Sequence, residues 1–384
     1  MPEIFRLNNN IKTSGLFPKA DPINLNLLYS IDDPEKHSLF YIPAINWTRE
    51  NGLMLGMAFH NGFITPKPLQ YFIMPLYSFG NSSFGGFGRI DYKIAPYNNL
   101  IRLATLTLEA TQLGAPGNQN YRKLKTGVEI NFRSKSMTSP LSHKLTGSYF
   151  MASNLSQIYR QEKAKMNSFV QLGYHLTKNS INNPYSLVAF YEGGETHQKT
   201  SVEFKYKINY VGENAGLELR LFAGTMLKND SNNPFYAYSA SGRGGSEQYL
   251  YQGFYPDRFS SYPETFFSRQ MMLSEGSLVS PINNYLGYSQ WLLSLSLSST
   301  LTGKASLFPV KPFLNLLLND HGISESLNSP FFYEAGLKTG IWGLFEIFIP
   351  ILTSKNIDSV NSSFKNRIRF VFSLDQFSNL LFND

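Results

Sequence analysis

Six histidines, His37, His60, His143, His175, His197 and His321, are the side chains through which this chain could hold a metal or pass a proton. A helical zinc-hydrolase site needs two His on one face with a Glu between them, the H-E-x-x-H arrangement, and a further carboxylate ligand. No two of the six stand at metal-ligand spacing. Cysteine is absent, so thiolate metal sites and disulfides are excluded. A Ser-His-acid relay in a sheet wall is the other hydrolytic option, with Ser148, Ser168 or Ser294 beside His60 or His175. Spacing singles out no trio among them. The Gly-rich pieces "GNSSFGGFG" and "SGRGG" precede no helix whose N-terminus would cradle a phosphate, and read as turns. The expectation is a chain without catalytic residues, metal or cofactor.

Charge carries more information. Lys123, Lys125, Glu129, Arg133, Glu203, Lys205, Lys207, Glu218, Arg220, Glu334, Lys338, Glu346, Arg367 and Arg369 all fall on the polar side of segments that alternate with apolar residues. One reading is cross-strand pairing, because opposed charges stabilise neighbouring strands and a filled interior must satisfy them. The other is a water-filled path whose basic excess favours anions. Both stay open here. The formal net charge of +7 is spread along the chain without a Lys/Arg cluster, which gives no footprint for nucleic acid.

These charges must be positioned by strands. In "TSVEFKYKINYVG", Val202, Phe204, Tyr206, Ile208 and Tyr210 lie on one side and Ser201, Glu203, Lys205, Lys207 and Asn209 on the other. "YRKLKTGVEINFRS", "GLELRLFAG" and "KNRIRFVFSL" repeat the pattern. Further strands are expected near 37–50, 53–62, 69–80, 86–96, 101–114, 143–156, 165–179, 184–195, 285–300, 305–319, 331–342 and 343–354. Turn signals such as Asn51-Gly52, "GAPGNQN" and "KNSINNP" separate them. The total is about 16, an even number as single-chain bacterial barrels require.

Composition fits that count. Aromatic residues make up 15% of the 384 residues and charged ones only 16%, yet mean hydropathy is −0.22. A transmembrane barrel has this mixture because half of each strand meets lipid while the other half stays polar. A soluble β-sandwich is the alternative, but its strands are usually about 5–6 residues long. Trp47, Tyr71, Tyr77, Tyr210, Tyr285, Trp291 and Trp342 recur near strand ends, where interfacial aromatic girdles belong. The expected fold is all-β, an antiparallel transmembrane β-barrel spanning 37–384, with 1–36 as a linker before it. Outer-membrane lipid is the expected partner, and the barrel is expected to be monomeric. The first residues carry no signal peptide, so the reading takes the chain as a mature form or the downstream part of a longer precursor.

One segment breaks the rhythm. Residues 228–284 form a connection far longer than an ordinary loop, rich in Tyr, Phe, Gly and Ser. Long loops are functional or disordered, and aromatic content argues against disorder. The expectation is a loop that folds back and occludes the lumen.

About eleven strands precede this loop and five follow it, and the tail "FFYEAGLKTGIWGLFEIFIPILTSKNI" resembles the closing hairpins of the outer-membrane assembly-factor and translocase barrels. The resemblance implies a lumenal loop whose tip carries an Arg-Gly-aromatic motif paired with an acid on a later strand. The similar positions here are Gln252-Gly253-Phe254 and, on "FLN", Asn315. The ion pair is missing, and a Gln252–Asn315 hydrogen bond would take its place. The stretches "IFRLNNNIKTSGLFPKADPINL", "DDPEKHSLFYIPAINWTRENGLMLGMAFHNG", "LQYFIMPLYSFG" and "GFGRIDYKIAP" resemble the C-terminal barrel region of Bacteroidota proteins whose N-terminal part is a gluzincin-type zinc aminopeptidase. That resemblance implies a non-catalytic membrane anchor for an upstream peptidase domain. A stand-alone assembly-factor or surface-antigen barrel is the alternative.

Overall fold

A computed structural model describes residues 23–27, 37–62, 67–97, 100–134, 136, 138–210, 215–230, 233–259, 265–282, 288–302, 308–320, 331–341, 345–358 and 364–372. Its strands are β1 (Ile23–Leu27), β2 (His37–Thr48), β3 (Gly52–His60), β4 (Leu69–Ser78), β5 (Ser83–Ile94), β6 (Ile101–Ala115), β7 (Gln119–Phe132), β8 (Leu141–Ser153), β9 (Met166–Lys178), β10 (Tyr185–Gly194), β11 (His197–Asn209) and β12 (Gly216–Asn229). After the long loop come β15 (Trp291–Ser299), β16 (Val310–Asn319), β17 (Phe331–Ile341), β18 (Phe345–Thr353) and β19 (Arg369–Phe372). A small ladder, β13 (Tyr238–Ser239) with β14 (Tyr288–Ser289), closes the base of the loop.

From β2 to β12 and from β15 to β19 each strand pairs antiparallel with the next, and β12 pairs with β15 across the loop. Eleven strands, β2 to β12, precede the loop and five, β15 to β19, follow it. Laid flat, a sheet of that many strands at about 4.8 Å spacing would be some 75 Å wide. Yet the single loop touches residues just after β2, on β7, on β17 and on β19. The sheet is therefore curled around the loop as a barrel.

Alternation fixes which face turns outward. On β3, Leu53, Leu55 and Met57 are exposed while Met54 and Ala58 are buried. Leu106 and Leu108 on β6, Leu124 and Val128 on β7, Val202 and Ile208 on β11, Leu221 on β12 and Leu293 on β15 continue an exposed apolar belt around the outside. Apolar surface of this extent is covered by lipid in a barrel and would be an aggregation liability in water. The core lies inside, where three apolar clusters pack the loop against the wall.

Tight turns organise the end where β2 meets β3. Gly52 takes φ +62°, and the buried Asn51 beside it binds Thr48 Oγ1 (2.6 Å), accepts from Gly114 N (2.8 Å) and, through its carbonyl, from Gly80 N (2.9 Å). One residue thus links three hairpins. After β8 a short helix, α1 (Leu155–Tyr159), is capped by Asn154, whose Oδ1 accepts from Ser156 N at 3.0 Å. Its Leu155 and Ile158 enter the luminal core.

The structure differs from the sequence reading in several places. Residues 23–27, within the segment assigned to the linker, form β1 and pair parallel to β2 from Ile23↔His37 to Leu27↔Tyr41. Leu25 and Leu27 point outward there, so the belt continues onto this strand. The expected strand 285–300 is divided between β14 and β15. Arg367 stands in a 3-10 turn (Phe364–Arg367) before β19 rather than on a strand. Bulges occur at Ile101/Leu103, Gln198/Lys199 and Ala335/Gly336. Tyr285, Trp342 and Leu374 lie outside the described residues.

Candidate functional site: the luminal plug and its vestibule

The loop after β12 is a plug, and its aromatic content explains how. Tyr236, Tyr249, Leu250 and Phe259 of the loop pack with Tyr121, Phe150 and Phe169 of the wall. Polar contacts run between loop and wall in this layer. Tyr121 OH donates to Tyr249 O at 2.7 Å. The fully buried Glu192 accepts from Tyr249 OH (2.7 Å) and Gln171 Nε2 (2.6 Å), and pairs with His197 Nε2 (2.6 Å). The His197 ring stacks on Tyr236 at 3.9 Å. Lys199, also fully buried, reaches the plug's Glu275 at 2.6 Å and lies over the Tyr238 and Tyr249 rings.

A second attachment lies across the lumen. Glu334 on β17 is fully buried and accepts from Val279 N (2.7 Å), Ser280 N (3.0 Å) and Asn315 Nδ2 (2.7 Å). Asn315 therefore supports the acid that grips the plug. The expected Gln252–Asn315 bond is not formed: Gln252 and Gly253 are exposed, and their carbonyls accept from the Arg258 guanidinium at 2.5 and 3.0 Å. Arg258 is inserted between the Tyr251 and Tyr255 rings, 4.3 and 4.6 Å from their centroids, and holds Glu247 O at 2.7 Å. A buried guanidinium that satisfies three carbonyls folds the tip onto itself, and Phe254 gives its carbonyl to Gln270 Nε2 at 2.8 Å.

The tip also meets the turn after β2. Arg49 N donates to Pro256 O at 2.8 Å, and Arg49 Nη1 lies 3.6 Å from Asp257. Burial pushes the neighbouring Glu50 carboxyl up to about 7, with Asp257 adding to the rise and Arg49 and Arg258 opposing it.

The charged wall divides into sectors. Lys123 is buried against Glu109 (2.7 Å), Lys125 lies over the Phe150 ring, and Glu129 meets Lys144 (3.3 Å). Arg133 is exposed just past the end of β7. Glu203 joins Lys205 (2.7 Å) and Arg220 (2.5 Å), Glu218 joins Lys311 (3.0 Å) and Lys338 (3.8 Å), and Lys338 also reaches Glu346 (3.7 Å). Arg369 is fully buried on the inner side of β19, whereas Arg367 donates to Ile351 O at 3.3 Å outside the strand. Beneath the plug lies a vestibule of about 550 Å³, lined by Lys205, Lys207, Glu218, Arg220, Lys338 and Glu346, with Leu273 and Val279 of the plug as its roof. Water entering from that side meets mixed charge and then the packed roof.

The hydrolytic candidates are dispersed. Ser148 registers with Gln171 and Lys144 with His175, which places Ser148 and His175 four positions apart along the ladder, about 14 Å. His60 stacks on Phe40, and its Nδ1 accepts from Gly62 N at 3.2 Å. Ser168 sits seven residues before His175 on β9, and Ser294 lies on β15, against the plug's Gly276. Sequence reasoning gave no plug-holding role to Glu192, His197 or Lys199, nor to Glu275 and Asp257. The first three share the inward face of the β10–β11 hairpin: extending the period-2 pattern of β11 back to residue 197 would have found Lys199 and His197, and Glu192 registers with Lys199.

No protein-family model matches the chain, and no curated protein matches it. Among solved structures it is similar to BamA from Haemophilus ducreyi lacking POTRA domains 1–3, with a TM-score of 0.44 and 11% identity over 90% of this chain and 73% of that one. It is also similar to CdiB from Acinetobacter baumannii (TM-score 0.40, 10% identity, 86% of this chain and 58% of that one). A third is CdiB from Escherichia coli (TM-score 0.41, 13% identity, 82% and 59%). The chain thus spans less than two thirds of the length of either CdiB.

Proposed function

We propose that this chain is a monomeric bacterial outer-membrane β-barrel that anchors rather than conducts, the membrane part of a larger zinc aminopeptidase-like surface protein, with no catalysis of its own. The observation that carries the anchoring role is the plug. A loop fastened by Glu334, Lys199 and an aromatic layer on opposite walls packs across the lumen. The outward apolar belt supports insertion in a bilayer. The tie to a peptidase rests on the resemblance of the first hundred residues. Its test is the full reading frame that contains this chain. An in-frame H-E-x-x-H domain, with peptidase activity that sediments with membranes and becomes soluble when residues 37–384 are removed, supports the anchor. A frame without such a domain refutes it.

A second reading, an assembly-factor or translocase barrel, is favoured by the position of the plug, with twelve described strands of the main sheet before it and five after it. A frame that encodes small periplasmic repeats ahead of the barrel, and accumulation of unassembled outer-membrane proteins on depletion, would support it.

A further inference from the structure

The loop does not stay inside the barrel. Met271 packs in the lumen with Phe313 and Phe348, while its N–H bonds Phe370 O on β19 at 2.8 Å, and Gln270 forms a parallel bridge with Phe370. Just before it, Phe266 and Phe267 are exposed, at 64% and 41%. Their neighbours show which side they are on. Phe370 registers with Ile347, between the inward Phe348 and Glu346, so its ring faces outward. Trp47 registers with the exposed Leu53. Phe266 stacks on Phe370 (4.9 Å) and Phe267 packs on Trp47 (5.5 Å). The rings of Trp47, Phe267, Phe266, Phe370 and Phe345 run on with separations of 5.5, 5.7, 4.9 and 5.6 Å. β1 covers β2 only from His37 to Tyr41, below Trp47.

We infer that Phe266–Met271 threads the wall between β19 and the upper half of β2, so that Phe266 and Phe267 contact bilayer lipid and hold the plug from outside the barrel. Lipid is the occupant because the five rings continue the apolar belt through Ile45, Trp47 and Leu53, and aromatic rings near strand ends suit the membrane interface. Drawing the plug inward would pull two phenylalanines out of that surface and open a slot in the wall. Plug and wall therefore move together.

The inference rests on the bilayer reading, and one experiment separates the two. The chain has no cysteine, so F267C, L53C and K205C each carry a single site for a polarity-sensitive fluorophore. In phosphatidylcholine vesicles, lipid bearing a shallow doxyl group is expected to quench the probes at 267 and 53 alike, and aqueous iodide the probe at 205. Quenching at 53 but not at 267 would overturn the inference alone. Quenching at neither would overturn the bilayer reading with it. Should F267C lose the gel shift of a folded barrel, F266C carries the same expectation. A short bismaleimide should link W47C to F267C in the same vesicles, and failure to link them in folded protein would also overturn the inference.

Discussion

Replacing Glu334 with Ala attacks the grip on the plug at one point. The carboxylate is fully buried and accepts three hydrogen bonds, two from the backbone of the plug and one from Asn315. Hydrogen bonds to a charged group contribute about 1.5–3 kcal/mol each, and a buried donor left without an acceptor costs about 1–3 kcal/mol. The two figures describe one loss, so we expect about 3–6 kcal/mol in the local docking of residues 277–282, less than the sum because the segment can relax. At about 1.4 kcal/mol per factor of ten, exchange of the Val279 and Ser280 amides should accelerate by about 10²–10⁴. Glu334→Gln keeps one carbonyl acceptor and turns an amide NH2 toward the other donors, so it should lose about half as much. Hydrogen exchange with mass spectrometry in detergent reads this directly, with Glu346→Gln in the wet vestibule as the control. Unchanged protection across 277–282 in a folded Glu334→Ala protein would refute the reasoning.

Leu221→Arg places a charge on the outward belt and should cost about 2–4 kcal/mol near the bilayer midplane, against a small change for Lys205→Gln in the vestibule. Equal shifts in the heating temperature that unfolds the two bands would count against the assigned faces. Glu50 predicts a pH effect. Its folded value of about 7 exceeds the ordinary carboxyl value of 4.5, so ionisation is penalised in the fold. The penalty is absent below pH 4.5, grows between 4.5 and 7, and is complete above 7. Glu50→Gln should therefore raise the melting temperature at pH 8 and leave it unchanged at pH 4, and the same shift at both would contradict the assignment. Lys199→Met should leave Glu275 without its cation and speed proteolysis within 233–259, which limited trypsin digestion of membranes would show.

Strands β2 to β12 and β15 to β18 were legible because each runs for nine or more residues, long enough for period 2 to stand out from local noise. β1 was not, since "INLNL" is five residues long and its partner is a parallel neighbour rather than a hairpin mate. The inward charges could be chosen from their faces, but not their roles. Glu334 and Glu218 look alike in sequence, yet one grips backbone N–H groups 54 and 55 residues away and the other pairs with lysines at the vestibule. Gln252 was read as the tip contact by analogy, whereas the fold uses Arg258, whose five donors suit converging carbonyls. The wall-threading segment carries no periodic signal at all. Only the positions of Trp47 and Phe370, far apart in the chain, bring "FFSRQM" between them.

The central claim is that the loop seals the barrel, and planar-bilayer conductance tests it most directly. Gly242 O already accepts from Met272 N at 2.6 Å, so residues 243–271 can be replaced by a short Gly-Ser link without straining the ends. Both proteins should first show the folded, faster-migrating band on an unheated gel. We predict closed bilayers with the intact chain and steady channels with the shortened one. Steady high conductance from the intact chain, or none from a folded deletion, would contradict it.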